Sequence, residues 1–139
     1  MFDEFNLQRF VDAQAPIYPQ VRSELEEGRK RSHWIWFIFP QIKGLGSSTT
    51  AVAFGIASKA EAVAYLRHPI LGDRLRECTR LALDIEDRSA GRIFGAIDEI
   101  KFRSSMTLFA SADPEEELFH AALRKYFGGR RDQETLKRL

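Results

Sequence analysis

The chain is poor in the features that most often announce a function. It has one cysteine, Cys78, among 139 residues, so no internal disulfide is available. Cys78 falls at an apolar position in a helical pattern, where a thiol acts as a small hydrophobe. There is little net charge: 21 basic against 20 acidic residues leave no global field to steer the chain toward nucleic acid or an anionic membrane. Long apolar runs are missing too. The longest, Trp34-Ile-Trp-Phe-Ile-Phe39, is about a third of a membrane span. The N-terminal stretch Met1–Phe10 carries acidic residues where a signal peptide would be basic. A cytoplasmic location is therefore expected, with no membrane and no nucleic acid among the partners.

What is present reads as one globular unit spanning 1–139, since 44% hydrophobic residues can fill a single core. The expected class is all-α, a compact single domain packed from about six or seven short helices. Leu7, Phe10, Val11 and Ala15 follow helical spacing after Asn6, the expected N-cap. A second helix is expected from Pro19 to Arg29, with Gly28 near its end. The Trp34–Phe39 run reads as strand by propensity, but a lone strand would lack a ladder partner, so a short buried helix is assigned.

Ser58-Lys-Ala-Glu61 is a capping box, and His68-Pro69 ends the helix it starts. Leu71, Leu75, Cys78, Ala82 and Ile85 share one face of the next helix. From Ile93 to Ala110 the pattern is apolar on two sides: Ile93, Ile97, Ile100 and Leu108 form one row, Phe102, Met106 and Phe109 another. That segment is expected to be a central helix. Asp113-Pro-Glu-Glu116 is expected to start the next, which Gly128-Gly129 stops, and Asp132 to cap a last turn.

Two stretches invite a ligand. Lys43-Gly44-Leu45-Gly46-Ser47-Ser48 combines two glycines, which allow positive φ, with hydroxyls and a cation, the makings of an anion-binding nest. It completes neither the Walker pattern nor the dinucleotide fingerprint, and a plain turn is the alternative. On the central helix Asp98, Lys101 and Ser105 recur at i, i+3 and i+7 as one polar stripe. Facing inward, such a stripe needs partners; facing outward, it is a solvated edge. Trp34 and Trp36 have rings that could stack on a ligand or fill core.

The three histidines, His33, His68 and His120, lack zinc-site spacing, and no nucleophile elbow or carboxylate pair occurs. Neither metal nor cofactor is expected. The expected site is therefore Trp34, Trp36, Lys43, Gly44, Gly46, Ser47, Ser48, Asp98, Lys101 and Ser105, for a small anionic or nucleotide-like ligand. In an enzyme, Asp98 would be the general base and Lys101 its cationic neighbour. A protein-protein interaction module, with the loop as a connector, is the rival.

Several longer motifs carry a resemblance. They are Trp36-Phe-Ile-Phe-Pro-Gln41 with Gly44-Leu-Gly-Ser47; Ala64-Tyr-Leu-Arg-His-Pro69 with Leu71-Gly72 and Arg74-Leu75; Ile93-Phe-Gly95, Asp98, Lys101 and Ser104-Ser-Met-Thr-Leu-Phe109; and Gly128 through Asp132 to Thr135-Leu136. Together they resemble the domain of unknown function 1810 (DUF1810) family over nearly the whole chain. The resemblance implies a small, mostly α-helical protein and brings no activity. The label calpastatin, sometimes attached to such proteins, does not suit a chain with a packed core, because calpastatins are extended and disordered. The order His68-Pro69, Lys101-Phe102 and Gly128-x-x-x-Asp132 is also similar to the NADAR group, associated with ADP-ribose and N-glycosidic chemistry. That similarity implies Asp98 and Lys101 as polar anchors of a pocket, although the group's acidic-tryptophan motif is missing here.

Overall fold

The structure, a computed structural model, describes residues 2–139 and is all-helical. Ten helices follow in chain order among the described residues: α1 Gln8–Gln14, α2 Tyr18–Glu27, α3 Ile35–Ile38, α4 Thr49–Ala53, α5 Lys59–Arg67, α6 Leu71–Asp84, α7 Ala90–Phe94, α8 Asp98–Ala112, α9 Glu117–Phe127 and α10 Gln133–Lys137. The number exceeds the expected six or seven because α4 forms in the stretch after the Gly-Ser loop where no helix was expected, α7 is separate from α8, and the expected last turn is a helix, α10. The only β-type pairing among the described residues is an isolated parallel bridge between Ile42 and Ile56. No helix of the described residues is long and apolar enough to cross a membrane.

Local chemistry sets most boundaries. Asp3, not Asn6, caps α1: its carboxylate accepts from the N–H groups of Leu7 at 2.8 Å and Gln8 at 2.9 Å, while Asn6 turns the chain at φ +53°. Gly28 closes α2 at φ +76°, donating back to Glu24 and Leu25 carbonyls. Ser58 Oγ accepts from Glu61 N–H at 3.2 Å, as the capping box requires. Glu61 departs from the pattern, taking Ala57 N–H at 3.0 Å and Arg9 at 2.9 Å. Alanine at Ser58 is expected to cost about 1 kcal/mol in chemical denaturation by removing that cap. His68 Nδ1 accepts from Ile70 and Leu71 N–H, so the residue that ends α5 also starts α6.

The expected central helix from Ile93 is broken at Gly95, whose φ of +89° ends α7 before α8 begins. From Ser104 to Ala110 every residue of α8 is buried, and α8 packs against α5, α9, α3, α7 and α10. Phe102 stacks on Phe94 at 4.5 Å and meets Phe39 edge-on at 4.9 Å. The Trp34–Phe39 run supplies that core from α3, with Trp34, Ile35, Ile38 and Phe39 all buried. Ile97 and Ile100, expected in an apolar row with Ile93 and Leu108, are instead 72% and 64% exposed. Both lie at the N-cap and first turn of α8, before the stretch from Ser104 onward that the neighbouring helices cover. The start of α9 also differs from expectation: Asp113–Glu116 form a turn, and the helix begins three residues later, with Glu116 at its N-cap.

Candidate functional site

Behind the start of α8 lies a polar brace. Lys30 N–H donates to Ile93 O at 2.8 Å, pinning the α2–α3 connection onto α7. The Lys30 ammonium, on a side chain only 5% exposed, then contacts Asp98 Oδ2 at 2.7 Å. Lys101 lies 3.6 Å from Asp98 Oδ1, beyond good hydrogen-bond length, and 5.8 Å from the Trp36 ring centroid. Lys30 therefore holds Asp98 tightly, and Lys101 keeps most of its donor capacity.

In front of Lys101 opens a cleft of about 340 Å³. The chain after α3 contributes Gln41, Leu45 and Gly46; α8 contributes Ile97, Ile100, Lys101 and Ser104; the start of α10 contributes Asp132 and Glu134. The loop can approach α4 because residue 46 is glycine: a Cβ there would stand 2.8 Å from Ala51 Cβ. Among the described residues, no backbone N–H from Gly44 to Ser48 donates to a backbone acceptor outside a helix. Asp132 Oδ2 accepts from Ser104 Oγ at 2.8 Å and from Thr135 N–H at 3.2 Å, which fixes α10 against α8. Glu134 is spent on Lys137 and Arg138, and those contacts hold its carboxyl below the ordinary range.

Three hollows elsewhere are larger: one of about 550 Å³ lies along α5, against Ala60, Val63, Ala64, Arg67 and His68, and the other two are chemically used up. One of about 470 Å³ lies beside Asp3 and His68, whose polar atoms cap α1 and α6. Another of about 400 Å³ lies beside Arg9, whose guanidinium already bonds Phe5, Asn6, Ala53 and Gly55 carbonyls and Glu61. The Cys78 thiol is buried, which pushes it up to about 12 and removes it as a nucleophile at neutral pH. The described residues include no group of three or more His, Cys, Asp or Glu side chains placed to hold a metal ion.

The model of the family described as "Protein of unknown function (DUF1810)" matches residues 4–139. The chain belongs to that family. It is also similar to the crystal structure of the conserved hypothetical protein Rv1873 from Mycobacterium tuberculosis, with 54% identity, a TM-score of 0.97, and coverage of 99% of this chain and 98% of that one. No curated protein matches. DUF1810 membership comes with a fold and no activity, so the chemistry must be argued from the side chains.

In this DUF1810 chain the ten residues expected from sequence separate into groups. Gly46 and Lys101 line the cleft together. Trp36 adjoins it through Lys101, and Asp98 lies behind Lys101 as the brace. Trp34 is 0% exposed with its indole N–H on Glu24, so it has no face for a ligand and belongs to the core. Ser105 is likewise fully buried, whereas Ser104, three residues from Lys101, faces the cleft. Lys43 lines the hollow beside Arg9 instead. Gly44, at φ +102°, approaches Arg138, and Ser47 is exposed. Ser48 Oγ is committed to capping α4 through Ala51 N–H.

Gln41, Leu45, Ile97, Ile100, Ser104, Asp132 and Glu134 were not expected at the site. Only Asp132 had a local signal, its capping position. Two buried side-chain polar atoms of the described residues have no hydrogen-bond partner, Trp36 Nε1 and Ser105 Oγ. Native interiors rarely leave such atoms unpaired, and both belong to the helices that flank Lys101, α3 and α8.

Proposed function

We propose that this chain is a cytoplasmic binding protein for a small anionic or nucleotide-like molecule, held in the cleft between the Gln41–Gly46 loop, α8 and α10. The observation that carries the reading is Lys101, an ammonium that lines a concave surface and whose one ion-pair contact among the described residues is a long one, 3.6 Å to Asp98. Loop N–H groups near Leu45 and Gly46 add donors, and Ile97 and Ile100 offer an exposed apolar wall.

The exposed isoleucines also favour a second reading, an interaction module that seats a partner's apolar side chain there. A hydrolase acting on an ADP-ribose-like N-glycosidic bond would rest on Asp98 as general base. Lys30 and Lys101 already flank its two oxygens, which makes this the weakest of the three. A thermal-shift panel of nucleotides, ADP-ribose, NAD, sugar phosphates and simple anions separates them. A ligand at ~100 times its dissociation constant adds about 2.7 kcal/mol and several degrees to the midpoint. A panel that stays flat for these compounds and for zwitterionic amino acids, on folded protein, would reject the small-ligand reading in favour of the interaction module.

A further inference from the structure

The cleft carries charge of both signs, and each has unspent capacity. Lys101 is the available cation, because Asp98 is taken by Lys30 at 2.7 Å and stands 3.6 Å from Lys101. Asp132 is the available anion: its bonds to Ser104 and Thr135 fall on Oδ2, and among the described residues no donor reaches Oδ1. Glu134 is neutralised by Lys137 and Arg138. Lys101 and Ser104 are neighbours on one face of α8, about 5–6 Å apart at Cβ, and Asp132 is bonded to Ser104. Both charged residues line the same cleft, Lys101 from α8 and Asp132 from the N-cap of α10.

A nucleotide would bring two or more negative charges to one free cation and set them beside a free carboxylate. A molecule with one charge of each sign satisfies both groups without leaving either desolvated and unpaired. Beside these charges stand Ile97 and Ile100, exposed enough to lose substantial apolar surface to a bound side chain.

We infer that the cleft binds a zwitterionic α-amino acid with an apolar side chain, its carboxylate on Lys101, its ammonium on Asp132 Oδ1, and its side chain against Ile97 and Ile100. This rests on the cleft reading above and narrows its anionic head to a carboxylate that travels with a cation.

The test is calorimetric titration of the full chain with L-leucine, L-isoleucine and L-phenylalanine. Isocaproate, which lacks the amine, and isoamylamine, which lacks the carboxylate, serve as half-molecules. The expected result is binding of at least one amino acid at least tenfold tighter than either half-molecule. Asp132→Asn should weaken it about tenfold, while keeping an oxygen to cap α10, and so should Ile100→Gln, which alters an exposed residue and leaves folding intact. If inorganic phosphate or AMP binds in a Lys101-dependent manner and no amino acid does, the cleft reading stands and this inference falls. If neither class binds, both fall.

Discussion

Glu24→Ala is expected to cost about 3–5 kcal/mol of stability, because it strands several hydrogen-bond donors at about 1–3 kcal/mol each. Glu24 is fully buried on α2 and is the acceptor for a whole connection. Oε1 takes Arg31 N–H at 2.7 Å, Ser32 N–H at 2.9 Å and Trp34 Nε1 at 2.9 Å; Oε2 takes Ser32 Oγ and Gln20. Removing the carboxylate leaves the buried Trp34 indole N–H and the part-buried Arg31 and Ser32 N–H groups without their acceptor, and each such group carries a desolvation penalty.

The same network makes the protein acid-sensitive. Burial alone would raise the Glu24 pKa, but the bonds from Ser32, Arg31 and Gln20 outweigh it and hold the carboxyl at about 2, against an ordinary 4.5. Its folded pKa is depressed, so its contribution is present above about pH 4.5 and is lost as pH falls toward 2. Urea denaturation from pH 7 to pH 2 should show a loss on the order of 3 kcal/mol from this group, and the Glu24→Gln variant should show a shallower acid slope. Equal slopes in both proteins would remove Glu24 as the acid-sensitive group.

Lys101→Gln is expected to weaken ligand binding by about 10- to 100-fold, the worth of a charge-assisted hydrogen bond in a partly desolvated site. Stability should change by less than about 1 kcal/mol, because the Lys101–Asp98 contact is long and Asp98 keeps Lys30. The pair of measurements separates a binding lysine from a structural one. A variant that loses several kcal/mol in denaturation, with unchanged affinity for a ligand that binds the wild type, would make Lys101 part of the brace.

The sequence made the helices legible where periodicity was long and caps were local. The Ser58 cap, the Gly28 and Gly128 stops and the apolar face of α6 all correspond to observed geometry, whereas Glu61 leaves the box for Ala57 and Arg9. It misled where a single backbone torsion decided the outcome. Gly95 breaks what periodicity reads as one helix, and Ile97 and Ile100, at the start of the second piece, lie on the surface.

The cleft was half legible for the same reason. Lys101 and Gly46 carry visible chemistry, but the cleft forms only because α10 folds back and Asp132 bonds Ser104. A contact spanning 28 residues has no signature in local spacing. Helical spacing also could not say which of Ser104 and Ser105 faces inward, since both flanks of α8 are apolar. Trp34 and Trp36 show the limit from the other side: two identical side chains two residues apart, one sealed in the core by Glu24 and one beside Lys101.

Those two tryptophans supply the most direct test. In a proton–nitrogen correlation spectrum each indole N–H gives its own resonance, assignable by Trp34→Phe and Trp36→Phe. With leucine, phosphate or AMP titrated to saturation, the account predicts that the Trp36 resonance moves together with the amides of Gly46 and Ser104, while Trp34, bonded to Glu24, stays in place. A ligand that shifts amides around Arg9 or His68 and leaves Trp36 unmoved would contradict the assignment of the cleft as the binding site.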